Sequence, residues 1–366
     1  MSELLRGQMT ISTHRYRFIS LMVACLASSV TSDISCHDDD GEPVDWFIVY
    51  KLPEDSGGSG VLYMYMDHGT SGWRSGTYSI NDTRGAVGAT LQQLYDTPVA
   101  QSDDVAYVLY NDQRPDDSSS YGGHTKGVVL LDRKQGFWLV HSTPHFPPKT
   151  GESYWWPHSG LKNGQSFLCV TYPYSQFNDI GTQLLYNNPQ IYDHSIPPSF
   201  AEDLPDLRSA MAGKHKKTPP WNRKVILSSV KGKQFISFAK YKDFGDDLYS
   251  GWVAEVFQSD LMVESWLNSR HTLSSNCSAQ YAVYNVERIE FPLGITFSSH
   301  VDHSKWCVTR PGWGSEWTCI GDINRDQAQE KRGGGTVCND DPVVWDAFSS
   351  LVMSCQPCKC TCSGKV

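Results

Sequence analysis

The sequence lacks the short signatures that announce many hydrolytic chemistries. It has no HExxH zinc helix, no phosphate-binding P-loop and no GxSxG nucleophile elbow. It also lacks a convincing membrane span. The one candidate, Phe18 to Val30, is shorter than the ~20 apolar residues that a spanning helix needs. Positive charge is scarce. There are 31 Lys+Arg against 40 Asp+Glu, a net charge of −9, which is the wrong sign for gripping a polyanion at neutral pH. With 39% hydrophobic and 12% aromatic residues, the chain is neither disordered nor a coiled coil.

The short apolar run follows Arg15 and Arg17 and precedes Ala27, Ser28, Ser29 and Ser32. That is the build of a secretory signal cleaved near Ser32, with residues 1–32 removed. Of the 11 Cys, Cys25 would leave with it. The even remainder points to disulfides rather than to zinc at the CQPCKCTC tail (Cys355 to Cys362). Asn81-Asp82-Thr83 and Asn276-Cys277-Ser278 are glycosylation sequons. Without residues 1–32 the chain carries 28 Lys+Arg, 39 Asp+Glu and 11 His. Protonation of the imidazoles would bring its charge to about zero, so nucleic acid is better accommodated in an acidic compartment.

Strand-like runs recur: Pro43 to Pro53, Asp103 to Asp112, Lys126 to Asp132, Gly136 to Val140, Gln165 to Tyr172, and then KVILSSV and KQFISFAKY. Helices are expected near Ala86 to Leu94, Leu248 to Phe257 and Val343 to Met353. The segment 191–222 is polar and Pro-rich, with a KHKK run read as a solvated loop. It divides a first half (33–190) from a second (223–366). The fold class is mixed α/β, with a sheet in each half.

The chemistry lies in a doublet. His124-Thr125-Lys126 and His303-Ser304-Lys305 are about 180 residues apart. Each offers an imidazole to attack or protonate and an ammonium to hold a phosphate oxygen. Two copies supply both imidazoles that metal-free phosphodiester cleavage requires. On a strand, residues i and i+2 share a face, so each pair can address one phosphate. His141 follows His124 by 17 residues and Asn324 follows His303 by 21, which looks like a degenerate duplication. Gly-rich turns near Asn324 (KRGGGTVC) suit close approach to a phosphate. Trp306 and other aromatics are candidates for stacking on bases. His145 reads as structural, and His37-Asp38-Asp39-Asp40 as a solvated acidic loop rather than a metal site.

The runs CHDDDGEPVDWFIVYKLP, YVLYNDQRP, GHTKGVVLLD, GFWLVHSTPHFPP, HSKWCV, CIGDINR and RGGGTVC resemble the deoxyribonuclease II family from Cys36 to about Cys358. The Cys-rich tail marks a divergent member. The resemblance implies a phospholipase D-like pseudo-dimer, with one His-x-Lys per half meeting at a single site. It implies a lysosomal or secreted acid endonuclease that needs no cofactor and leaves 3′-phosphate and 5′-hydroxyl ends through a phosphohistidine. DNA is the implied partner. The matching catalytic positions are His124, Lys126, His141, His303 and Lys305, with Asn324 at a substrate-binding position. Family pairings imply Cys36–Cys169, Cys277–Cys358 and Cys319–Cys338. The chain departs from the phospholipase D motif in its aspartate: Asp132 is one residue too far from Lys126, and the second half has none there. The group that orients each histidine is therefore open. Analogy with the superfamily favours His124 as the attacking residue. Rival readings are a phospholipase or other phosphodiesterase on the same fold, and an inactive binder of DNA or host protein.

The compartment expectation has a direct check. Mass spectrometry of the secreted product should find an N-terminus near Asp33 and a glycan on Asn81. An intact leader with free thiols throughout contradicts it.

Overall fold

The computed structural model describes residues 33–96, 102–117 and 122–358. The leader, Cys25, Cys360 and Cys362 lie outside the described residues. Two large sheets organise the rest. The first contains β1 (Trp46–Lys51), β2 (Tyr63–Asp67), β3 (Arg74–Ser75), β4 (Ala106–Asn111), β5 (Lys126–Leu131), β6 (Gln135–His141), β7 (Gln165–Pro173) and β8 (Ile191–Ser195). Their order is β8-β4-β5-β6-β7-β1-β2-β3. The second contains β9 (Asn222–Ser228), β10 (Gln234–Lys240), β11 (Leu261–Glu264), β12 (Val283–Phe291), β13 (Ile295–Ser298), β14 (Trp306–Thr309), β15 (Thr318–Gly321) and β16 (Gly334–Asn339). Its order is β9-β10-β16-β15-β14-β11-β12-β13, with β17 (Val352–Cys355) also paired to β12.

The two sheets share a motif. The antiparallel run β4-β5-β6-β7-β1 corresponds to β11-β14-β15-β16-β10, antiparallel throughout. The central strands read as unbroken apolar runs because both faces are covered. In β1, Trp46, Ile48 and Tyr50 enter a core that also holds Trp306, Val308, Ile320 and Val337 of the second sheet. Phe47 and Val49 face the outer layer, against Val87, Leu91 and Leu94 of the helix Ala86–Tyr95. Each such side chain contributes about 1.5–3 kcal/mol on full burial. The core between the sheets is therefore what docks one half on the other.

Several expectations changed on folding. The helix Phe177–Asn187 was not anticipated, although Phe177, Ile180 and Leu184 give it a buried stripe. The polar segment is structured: Ile191–Ser195 is the edge strand of the first sheet, and Pro198–Asp203 and Pro205–Met211 are short helices. The C-terminal helix stops at Ser349 and β17 follows. The N-terminal acidic run is not simply solvated. Asp39 is fully buried and accepts from Tyr63 Oη, from the Thr77 N–H at 2.8 Å and from the Ala86 N–H at 3.1 Å. Cys36–Cys169, Cys277–Cys358 and Cys319–Cys338 are bonded, while Cys307 and Cys355 form no disulfide among the described residues.

Glycines also permit close contacts between the halves. A Cβ on Gly333 would lie 2.4 Å from the Asn187 carbonyl oxygen, and one on Gly164 2.3 Å from Asp302 Oδ1. These glycines let one half's backbone lie against the other's. Gly333→Ala should therefore cost roughly 1–3 kcal/mol of stability in urea unfolding. Gly151→Ala, which meets nothing within 4 Å, should stay within about 0.5 kcal/mol of wild type.

Candidate active site

Each His-x-Lys leads into the start of a strand, with its histidine ahead of it. Lys126 opens β5, and Lys305 immediately precedes β14. What fixes the motifs is the opposite half. The His124 N–H donates to the Gly333 carbonyl at 2.8 Å, and the His303 N–H donates to the Gly164 carbonyl at 2.9 Å. Gly164 and Gly333 are equivalent, each being the residue before β7 or β16. The rings repeat the exchange. His124 Nδ1 bonds the Asp322 carbonyl, and His303 Nδ1 bonds the Ser142 carbonyl at 2.9 Å. Asp322 and Ser142 are again equivalent, each following β15 or β6.

A carbonyl oxygen only accepts, so both rings carry a proton on Nδ1. In a neutral ring that leaves the Nε2 lone pair available for attack. The orienting group missing from the sequence is thus a peptide carbonyl of the other half. Asp132 does not fill that place: its Oδ1 caps the turn N–H groups of Lys134 and Gln135 at 2.7 and 2.8 Å.

The cations are held unequally. Lys126 is buried and donates to Asp112, whose other oxygen accepts from Arg332 Nη2 at 3.1 Å. Arg332 comes from the second half and also reaches the Gly122 and Gly123 carbonyls at 3.1 Å each. Burial opposes ionisation of Asp112, but Lys126, His124 and Arg332 outweigh it and hold the carboxyl well below its usual range. Lys305 is buried and donates to the His303 carbonyl. Burial and then Lys126 push its ammonium well below the usual lysine range. Beneath the second motif, Asp302 accepts from Tyr50 Oη of the first half and from Ser304 Oγ, the latter at 2.7 Å.

The other expected residues fall differently. One step beyond the Gly127–Val140 pair, His141 lies opposite Lys126. It is fully buried, stacked on Phe167, and its Nδ1 accepts the Thr143 N–H at 3.2 Å, so its tautomer is the reverse of the other two. By register its counterpart is Gly321, not Asn324, because Trp306 pairs with Ile320. Asn324 is 8% exposed, and its Oδ1 accepts the Trp266 N–H at 3.2 Å. Trp266 in turn sets its indole edge-on to the His303 ring, 5.4 Å between centroids. Trp306 cannot serve as a base platform. It is 0% exposed, with Nε1 donating to Tyr50 Oη at 3.3 Å and its ring against Phe348, so no face is left for a nucleotide. Asp112, Arg332, Ser142, Asp322 and Trp266 escaped the sequence reading. All but Trp266 lie in the quoted family runs, but nothing local signalled a contact across the halves.

Burial lowers both His124 and His303 well below the ordinary imidazole value of 6.5, helped on His124 by Lys126 and on His303 by Lys305. A neutral base and a protonated acid therefore coexist only on the acid side of that value. In NMR titrations of the free protein both rings should titrate below 6.5. Lys305→Met removes a neighbouring positive charge and should move the His303 midpoint upward. A midpoint that stays put or falls contradicts this account.

The sequence pattern described as Deoxyribonuclease II matches residues 35–358. Deoxyribonuclease-2-alpha of Rattus norvegicus is 48% identical over 351 residues, covering 93% of this chain and 99% of the relative. Deoxyribonuclease-2-beta of Homo sapiens is 40% identical over 351 residues, 94% of this chain and 97% of the relative. Plancitoxin-1 of Acanthaster planci is 41% identical over 360 residues, 96% of this chain and 100% of the relative. With two similar sheets docked face to face and one His-x-Lys from each, the chain belongs to the deoxyribonuclease II family.

Proposed function

We propose that this chain is an acid DNA endonuclease that cuts phosphodiesters through a phosphohistidine, without a cofactor. The observation that carries the proposal is the reciprocal clamp, in which two imidazoles from opposite halves are each held through Nδ1 with Nε2 available. In the proposed sequence, Nε2 of one neutral histidine attacks phosphorus. The P–O5′ bond breaks, and the other, protonated imidazole donates its proton to the departing 5′-oxygen. That imidazole then takes a proton from water, which hydrolyses the phosphohistidine to a 3′-phosphate. Lys126 and Lys305 hold the non-bridging oxygens as charge develops on them. His141 packs behind Lys126 and supports its placement. The chain's own cations supply the positive charge that a metal provides elsewhere.

A lysosomal or secreted setting fits the proposal. Three disulfides suit an oxidising route. Asn81 is exposed, as a glycan requires. Among the described residues no helix is long and apolar enough to cross a membrane. The names of the relatives point to DNA as substrate.

Plasmid digestion at about pH 5 with EDTA present tests the chemistry. Wild type should cut, and its products should accept a 5′-label from polynucleotide kinase without prior phosphatase. His303→Ala should fold and lose at least ~10²-fold in rate, the lower end for an acid or base. Lys305→Ala should lose a comparable factor. His145→Ala should do little, since that ring bonds the Arg114 carbonyl at 2.7 Å, in a loop outside the clamp. A folded His303→Ala protein that cuts at the wild-type rate defeats the mechanism.

A further inference from the structure

Two buried lysines outside the His-x-Lys motifs occupy one position of the duplicated scaffold. Lys51 ends β1 and pairs with Gln165, the first residue of β7. Lys240 ends β10 and pairs with Gly334, the first residue of β16. Gly164 and Gly333 immediately precede those strands, so the two lysines are equivalent by register. Both are 0% exposed.

Their hydrogen-bond partners are peptide carbonyls rather than carboxylates. Lys51 Nζ donates to the Leu161 carbonyl at 2.7 Å. Lys240 Nζ donates to the Gln329, Glu330 and Arg332 carbonyls at 2.8, 3.1 and 2.8 Å. Leu161 and Glu330 are again equivalent. Each lies three residues ahead of the glycine whose carbonyl accepts a histidine N–H. Each also stands at the end of a short helical turn, His158–Gly160 in the first half and Gln327–Glu330 in the second. Carbonyls at such an end have no partner within the turn. A buried ammonium is a costly way to fill a core position. Burial pulls Lys51 down to about 7 and Lys240 to about 8, a cost that an apolar side chain would not carry. What the cations do there is hold backbone. Lys51 grips the turn that leads to Gly164 and His303; Lys240 grips the turn that leads to Gly333 and His124. The first turn has one more tie, from the Glu54 N–H to the Lys162 carbonyl at 3.1 Å.

We propose that Lys51 and Lys240 are positioning residues, each fixing through a short turn the glycine carbonyl that holds one of the two histidines. Lys51 acts on His303 and Lys240 on His124. This rests on the phosphodiesterase reading and deepens it. Both Nε2 atoms must address one phosphate, so a small displacement of either ring is felt in the rate. The clamp is thus braced twice, by a glycine carbonyl at each histidine and by a buried cation behind each glycine.

The test uses Lys51→Met and Lys240→Met, which keep most of the side-chain length and remove the donor. Exchange of the His124 and His303 amide protons is followed by NMR in the full chain at about pH 5, where both lysines are charged. Lys51→Met should speed exchange at His303 by about tenfold or more, the size of one hydrogen bond to a charged group, and leave His124 unchanged. Lys240→Met should do the reverse. In DNA cutting, kcat should fall by about ten- to a hundredfold with KM within about twofold of wild type, and Lys240→Met, which frees three carbonyls, should lose more. A folded Met variant with both amides at wild-type rates overturns the proposal. So does one in which both amides speed up alike, which is general loosening, or one that keeps the wild-type kcat. If a Met variant fails to fold, Lys51→Gln and Lys240→Gln, one atom shorter and uncharged, carry the same test; their failure to fold as well counts against a positioning role. Absence of cutting by the wild type at about pH 5 sinks the nuclease reading alone, because the exchange rates report the clamp without any substrate.

Discussion

Everything at this site depends on a hydrogen bond between each catalytic-type imidazole and a peptide carbonyl of the opposite half. The backbone repeats the exchange, with each histidine N–H donating to the glycine that precedes the other half's equivalent strand. Neither half by itself contains an oriented histidine. The apolar core between the sheets is what brings the partners within reach, so packing and catalysis are one constraint. It also explains why glycines line the contact: a Cβ at Gly123, Gly164 or Gly333 would meet backbone or carboxylate atoms of the facing segment.

A carbonyl differs physically from the carboxylate that the phospholipase D motif supplies. It fixes the ring and its tautomer but adds no full negative charge. The imidazoles then feel the lysines with little compensation, and burial acts in the same direction, so both rings are pushed toward neutrality. An acidic medium restores one proton to the pair. Under the proposed mechanism, acid dependence follows from which group orients the histidines.

The two halves are alike in topology and unlike in electrostatics. Beside Lys126 stands Asp112, bridged to Arg332 of the other half; beside His303 stands the indole of Trp266. The register makes these two positions equivalent, since Asn111 pairs with Lys126 and Glu264 with Trp306. A duplicated scaffold has therefore been given different neighbours at its two histidines. Acid–base chemistry needs that asymmetry, because one imidazole must start neutral and the other protonated.

The sequence by itself determined the parts whose physics is local. Unbroken apolar runs marked strands covered on both faces, and the His-x-Lys doublet marked the two segments that the structure clamps across the halves. The family runs carried the three cysteine pairings. It misplaced what depends on register and on the facing half. Trp306 looked like a base platform, yet strand alternation turns it into the core. His141 and Asn324 looked equivalent by spacing, but the loops between their strands differ in length, and the hydrogen-bond ladder pairs His141's position with Gly321 instead. The orienting carbonyls of Ser142 and Asp322 were illegible for a deeper reason. Every residue carries a peptide carbonyl, so no residue type announces one that will be used. Only the docking of two sheets, from segments more than 150 residues apart, decides which carbonyl meets which ring.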